Sequence, residues 1–174
     1  MSIRSLFPLV LVAFAACSKD AASAPTPTST PKQPTASLPA SLRLDAAPPA
    51  ASSVVDLRKS AADGAEVVVT GRARDFVATR AAFTIADLSL KSCAEPGDKM
   101  ADCDTPWDYC CEDPARLAQG TATIEVREGT ELAKGSVQGW NGLDHLKQVV
   151  VRGKLQKDAE GNLAVVADGI YVQP

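Results

Sequence analysis

The chain has 174 residues, a formal net charge of −3, and 45% hydrophobic but only 5% aromatic residues. That size suits a single folded domain with appended segments. An acidic balance argues against a protein that grips nucleic acid by neutralising phosphates. The apolar run near the start, about 11 residues, is too short for a membrane-crossing helix.

The first segment, residues 1–16, reads as an export signal. Arg4 precedes an apolar stretch over residues 6–16, of a length typical for the apolar region of a signal peptide. It closes on Phe14-Ala15-Ala16-Cys17. A plain secretory cleavage site wants a small residue three positions before the cut, and Phe14 does not provide one. A lipobox accepts a bulky apolar residue there and requires the cysteine. These residues resemble the leader of bacterial lipoproteins. The resemblance implies cleavage before Cys17, lipidation of Cys17, and palmitate-type acyl chains in the membrane. Each buried methylene contributes about 0.8 kcal/mol, so several chains make a lasting anchor. Ser18 follows the cysteine rather than an aspartate, which implies the outer membrane facing the periplasm if the cell has two membranes. The alternative is an ordinary secreted protein with a chance cysteine.

Residues 17–53 then carry Pro25, Pro27, Pro31, Pro34, Pro39, Pro48 and Pro49 among alanine, serine and threonine. Such a segment buries too little apolar area to offset its ordering entropy. The composition predicts a disordered, partly polyproline tether that holds a domain off the membrane, with at most a helical turn near residues 40–44.

The folded domain is expected over residues 54–174. It carries 14 basic and 19 acidic residues, a formal charge of −5. Five strands are predicted from β-branched runs and period-two alternation: residues 66–76, 81–90, 121–127, 148–156 and 162–172. A turn over 157–162 joins the last two as a hairpin. Val67-Val68-Val69-Thr70-Gly71-Arg72 and Val149-Val150-Val151-Arg152-Gly153-Lys154 look alike. A glycine inside a strand marks a bend or bulge, which a small barrel needs. Residues 131–147 separate the third and fourth strands, and 142–147 is expected to form one or two helical turns. These strands and their glycines resemble the OB-fold domains of bacterial proteins. The resemblance implies an all-β, five-stranded barrel with a short helical connection. A different small barrel or sandwich is the alternative. OB-folds bind oligonucleotides, sugars and proteins alike, so this likeness sets no function.

Residues 89–119 form a long insertion between the second and third strands. Loops of about 30 residues inside a compact domain are commonly functional or stapled. Cys93, Cys103, Cys110 and Cys111 all fall in it. Lipidation of Cys17 leaves this even number in an exported protein, which predicts disulfides. A vicinal Cys110–Cys111 ring is strained, so each should pair with Cys93 or Cys103; which goes with which stays open. The same four thiols offer a zinc or copper site as the main rival, although short paired Cys-x2-4-Cys knuckles are missing. The run Thr105-Pro106-Trp107-Asp108-Tyr109-Cys110-Cys111 resembles one in uncharacterised exported bacterial proteins with an OB-like domain, and implies no activity. Trp107 and Tyr109 either pack the insertion onto the barrel or form a stacking platform for a ligand. The acidic surround of Asp102, Asp104, Asp108, Glu112 and Asp113 suits a cation, a sugar or a basic protein surface.

No motif for catalysis is present. His145 beside Leu143 and Leu146 reads as structural, and no Gly-x-Ser-x-Gly or phosphate-binding loop occurs. No cofactor and no enzymatic role are expected. The sequence points to a noncatalytic binding or interaction module of the cell envelope, anchored through Cys17, whose partner is an envelope protein or a small ligand. Trp107, Tyr109, Trp140, Arg72, Arg74 and Arg127 are the expected ligand contacts, on the face of the first three strands with the insertion as one wall; each arginine reads alternatively as part of a solvated strand face, and Trp140 as a buried indole in a turn. A metal-binding lipoprotein is the alternative. A nucleic-acid-binding OB domain comes after it, opposed by charge and compartment.

Overall fold

The computed structural model describes residues 35–95 and 103–174. The export signal, Cys17, the tether up to residue 34 and the stretch 96–102 with Asp102 lie outside them.

Five strands close a barrel: β1 (Glu66–Arg74), β2 (Ala82–Ala86), β3 (Thr121–Glu125), β6 (Gln148–Lys157) and β7 (Leu163–Val172). Between β3 and β6 lies a small hairpin, β4 (Arg127–Glu128) with β5 (Glu131–Leu132). Around the barrel the order is β1-β2-β3-β7-β6, antiparallel throughout except for the parallel β3–β7 pair. This is the OB-like, all-β, five-stranded barrel that the resemblance implies. The inward set on β1 is Val67, Val69 and Ala73; Phe83, Ile85, Ile124, Val151, Leu155, Val165 and Ile170 meet it from the other strands. Alternation of one apolar and one polar residue is what places them there.

Two glycines make closure possible. β1 pairs with β6 up to Arg72 and with β2 from Arg72 onward, so it bends to serve both halves. At the bend a Cβ on Gly71 would lie 2.7 Å from the Ala86 carbonyl oxygen. On β6, a register shift falls between Arg152 and Gly153, opposite the extra residue Asp168 on β7.

Two helices were not evident from periodicity. α1 (Val54–Ser60) starts on Ser53, whose hydroxyl accepts from the Asp56 N–H, and it buries Val54 and Leu57 in the core. α2 (Pro114–Gln119) starts on Asp113, which accepts from the N–H groups of Ala115 and Arg116. The helical connection predicted over 142–147 is instead a 3-10 turn at Trp140–Gly142. Asn141 and Gly142 both have positive φ (48° and 78°), which ends any right-handed helix there. Leu143 then drops fully buried into the core.

Residues 35–53, expected to belong to the tether, lie along the barrel. The Ala36 N–H donates to the Ser136 carbonyl (2.8 Å), the Leu44 N–H to Ile170 (3.0 Å) and the Ser52 N–H to Val68 (2.9 Å). Ala36 and Leu42 are buried. One buried leucine contributes about 2 kcal/mol. The composition average hid these few apolar residues, which find sites on an already formed barrel.

Asp87, just past β2, is a buried carboxylate with four anchors. Its Oδ1 accepts from the Ser89 N–H (2.9 Å) and hydroxyl (2.7 Å), its Oδ2 from the Val55 N–H (3.1 Å), and its own N–H donates to Gly120 (2.7 Å). Burial pushes its carboxyl upward, but these hydrogen bonds outweigh burial and hold it below the ordinary 3.8. The contribution is therefore complete above that ordinary value and is lost as pH falls through the lower folded one. Asp87→Asn is expected to cost about 1–3 kcal/mol at neutral pH and to shrink the acid-side loss of stability. Urea midpoints from neutral to acid pH check this; parallel curves for the two proteins would refute it.

Candidate functional site

Two places on the described surface combine shape with chemistry: a polar groove on the barrel and the cysteine cluster of the insertion.

The groove, of about 730 Å³, runs over the outward side of β2, β3 and β7. Outward positions alternate with core ones, so Thr84, Thr121, Thr123 and Glu125 face it in a row while Phe83, Ala122 and Ile124 face inward. Gln156 and Asn162 border it from the β6–β7 hairpin, and Ala118 of α2 from the insertion. Arg58 on α1 holds the walls together. Its guanidinium donates to the carbonyls of Gln119 (2.9 Å), Thr121 (2.9 Å) and Gly161. Sequence reading missed Arg58. Its nearest signal is the Ser53-x-x-Asp56 capping pattern that starts its helix, and this says nothing about where the side chain reaches.

The insertion covers the outward side of β1 and reaches the groove only at Ala118 of α2. Tyr109 is 1% exposed and forms a second small cluster with Ala86 and Leu90, joined by Leu117 and Leu146. It has no face open to a ligand, so of the two readings for Tyr109 the structure matches packing of the insertion onto the barrel and not a stacking platform. Arg74 lies over the Tyr109 ring at 4.9 Å and pairs with Asp75 (2.5 Å) and Asp108 (3.3 Å). Arg72 donates to the Leu90 carbonyl and to Glu95, both at 2.9 Å. These two arginines, expected to contact a ligand, hold the insertion instead.

Trp107 is 38% exposed and stacks on His145 at 5.0 Å. His145 meets the edge of Phe76, which stacks on Phe83 in the core. Trp140 packs against the main core from its 3-10 turn. Neither tryptophan lines the groove. Of the six residues expected to touch a ligand, Arg127 lies nearest to it. Its guanidinium pairs with Glu125 (2.5 Å) and donates to Gln156 (3.0 Å), both of which line the groove.

The cysteines converge. The sulfurs of Cys93, Cys110 and Cys111 lie within 4.8 Å of one another. Cys93 and Cys110 are 3.1 Å apart, and no pair of described cysteines is at bonding distance. Cys103 Sγ stands outside that group, 3.7 Å from the Thr105 hydroxyl. Cys93 is buried; Cys110 and Cys111 are exposed. The Cys110 thiol is the leading influence holding Cys93 below its ordinary value. Burial opposes it, and the Cys110 and Cys111 N–H groups and the Cys103 thiol assist. Cys110, sharing its proton with Cys93, is pushed up to about 12.

No protein-family model matches the chain, and no curated protein matches it.

Proposed function

We propose that the chain is a lipid-anchored, noncatalytic binding module of the bacterial cell envelope, and that its ligand surface is the groove over β2, β3 and β7. The observation that carries this reading is the groove itself: an open, hydroxyl-rich concavity on a rigid closed barrel. Thr84, Thr121, Thr123, Gln156 and Asn162 offer both donors and acceptors. Arg58, whose guanidinium is committed to carbonyls, and Lys157, which donates to the Arg58 carbonyl, are offset by Asp63, Glu125 and Asp158 along the same groove. A neutral polar ligand suits this surface better than nucleic acid, in keeping with the domain's acidic charge. Export and acylation at Cys17, read from the leader, would display the groove at the envelope.

The test uses the full chain and two variants. Thr123→Arg fills the groove from an outward strand position, and Trp107→Ala alters the insertion tip outside it. Pull-downs from an envelope extract are expected to retain material with wild type and Trp107→Ala, and to lose it with Thr123→Arg. Equal retention by all three, or retention of single-stranded nucleic acid alone, would sink the reading. Cys17→Ala is expected to move the chain from the membrane pellet to the soluble fraction.

A further inference from the structure

The fold fixes the cysteine cluster without involving the groove. Tyr109, locked under the insertion, immediately precedes Cys110. The Cys93 N–H donates to the Asp108 carbonyl (2.8 Å), and the Lys91 N–H to the Glu112 carboxylate (3.1 Å). Two separate stretches of the insertion are thereby held side by side, with one sulfur below and two at the surface.

We propose that Cys93, Cys110 and Cys111 together bind one soft d10 cation, Cu(I), through three thiolates. Three sulfur donors within 4.8 Å form a preassembled tridentate set. Thiolates select soft metals. Structural zinc takes four ligands in a closed tetrahedron, and the Cys103 sulfur, though it reaches Cys93, is not within 4.8 Å of all three sulfurs. Cys110 and Cys111 are exposed, so an ion has a path in. Binding spreads Cys93 and Cys110 from 3.1 Å to about 4.0 Å, the separation set by three metal–sulfur bonds of about 2.3 Å in a trigonal site. Rotation of the exposed Cys110 side chain is enough for that. Each thiol releases its proton to water as it ligates, and copper enters and stays as Cu(I), so no oxidant or reductant takes part.

The full-length chain, reduced and kept anaerobic, is titrated with Cu(I) against a chromogenic Cu(I) chelator. The expected result is a single equivalent withheld from the chelator, with thiolate-to-copper absorption in the near ultraviolet. Cys110→Ser and Cys111→Ser each lose both signals, whereas Cys103→Ser keeps them. Thermal melts of the three serine variants confirm that the barrel remains folded, since Cys110 and Cys111 are exposed and Cys103 is half-buried. Copper left wholly with the chelator overturns the proposal. So does a zinc site that needs Cys103, which would mean a four-thiolate centre. A chain isolated from the envelope that shows no titratable thiol when denatured without reductant also overturns it, because disulfides then occupy the same sulfurs. None of these outcomes bears on ligand binding in the groove.

Discussion

Replacing Gly153 by alanine is expected to destabilise the barrel by about 3 kcal/mol, the upper end of the cost of forcing atoms into a filled site. For a domain of this size that is a fall in Tm of about 10 °C. A Cβ at this position would lie 2.2 Å from the Val166 carbonyl oxygen and 2.9 Å from the Ala167 Cα. Both are backbone atoms of the paired strand, held by ladder hydrogen bonds on either side of the bulge, so neither can rotate away. Gly161 supplies the contrast. It turns the β6–β7 hairpin at φ 81° with nothing within 4 Å of a built Cβ. Gly161→Ala meets only the left-handed backbone penalty, about 1–2 kcal/mol. Denaturant midpoints of the two variants separate close approach from backbone strain. If Gly153→Ala falls no further than Gly161→Ala, β6 and β7 do not cross as tightly as described.

Tyr109→Ala is expected to open the insertion while leaving the barrel closed. Removing a buried aromatic side chain costs about 3–5 kcal/mol. Here the loss falls on a cluster of Ala86, Leu90 and Tyr109 that is separate from the main core. The Arg74 contact over the ring goes with it. Hydrogen exchange over residues 89–119 should rise steeply, with β6 and β7 keeping their protection. Trp107→Ala should do far less. Its ring is already 38% exposed, and it loses mainly the stack on His145, a contact worth about 0.5–1.5 kcal/mol. Uniform loss of protection across the whole barrel in Tyr109→Ala would show that the insertion is part of one cooperative unit with it.

The groove and the cysteine cluster differ in how far they could be read from residues alone. The cluster was half legible: four cysteines in one loop announce bonding or ligation. The spacing did not reveal that Cys93, Cys110 and Cys111 meet, with Cys103 outside that mutual set. That grouping depends on how the insertion folds over β1. The groove was legible only as a face of strands. Its threonines alternate with core residues in β3, yet Thr84, Gln156 and Asn162 reach it only through barrel closure. An outward strand position lets an arginine read either as a ligand contact or as part of a solvated face. Arg72 and Arg74 do stand outward, but the insertion lies there and takes them. Helix α2 carried a readable start in Asp113-Pro114, whose cap and N1 proline are local chemistry. Its six residues are too short for periodicity to register.

Sequence alone determined the strands, the bends at Gly71 and Gly153, and the insertion between the second and third strands. Each is a local matter of side-chain alternation, Cβ sterics or composition. Tertiary structure alone decided which outward residues stay open to a ligand, which three sulfurs meet, and that residues 35–53 lie on the barrel. Those outcomes rest on contacts between segments far apart in the chain, where burial and hydrogen bonding depend on what the closed barrel brings alongside.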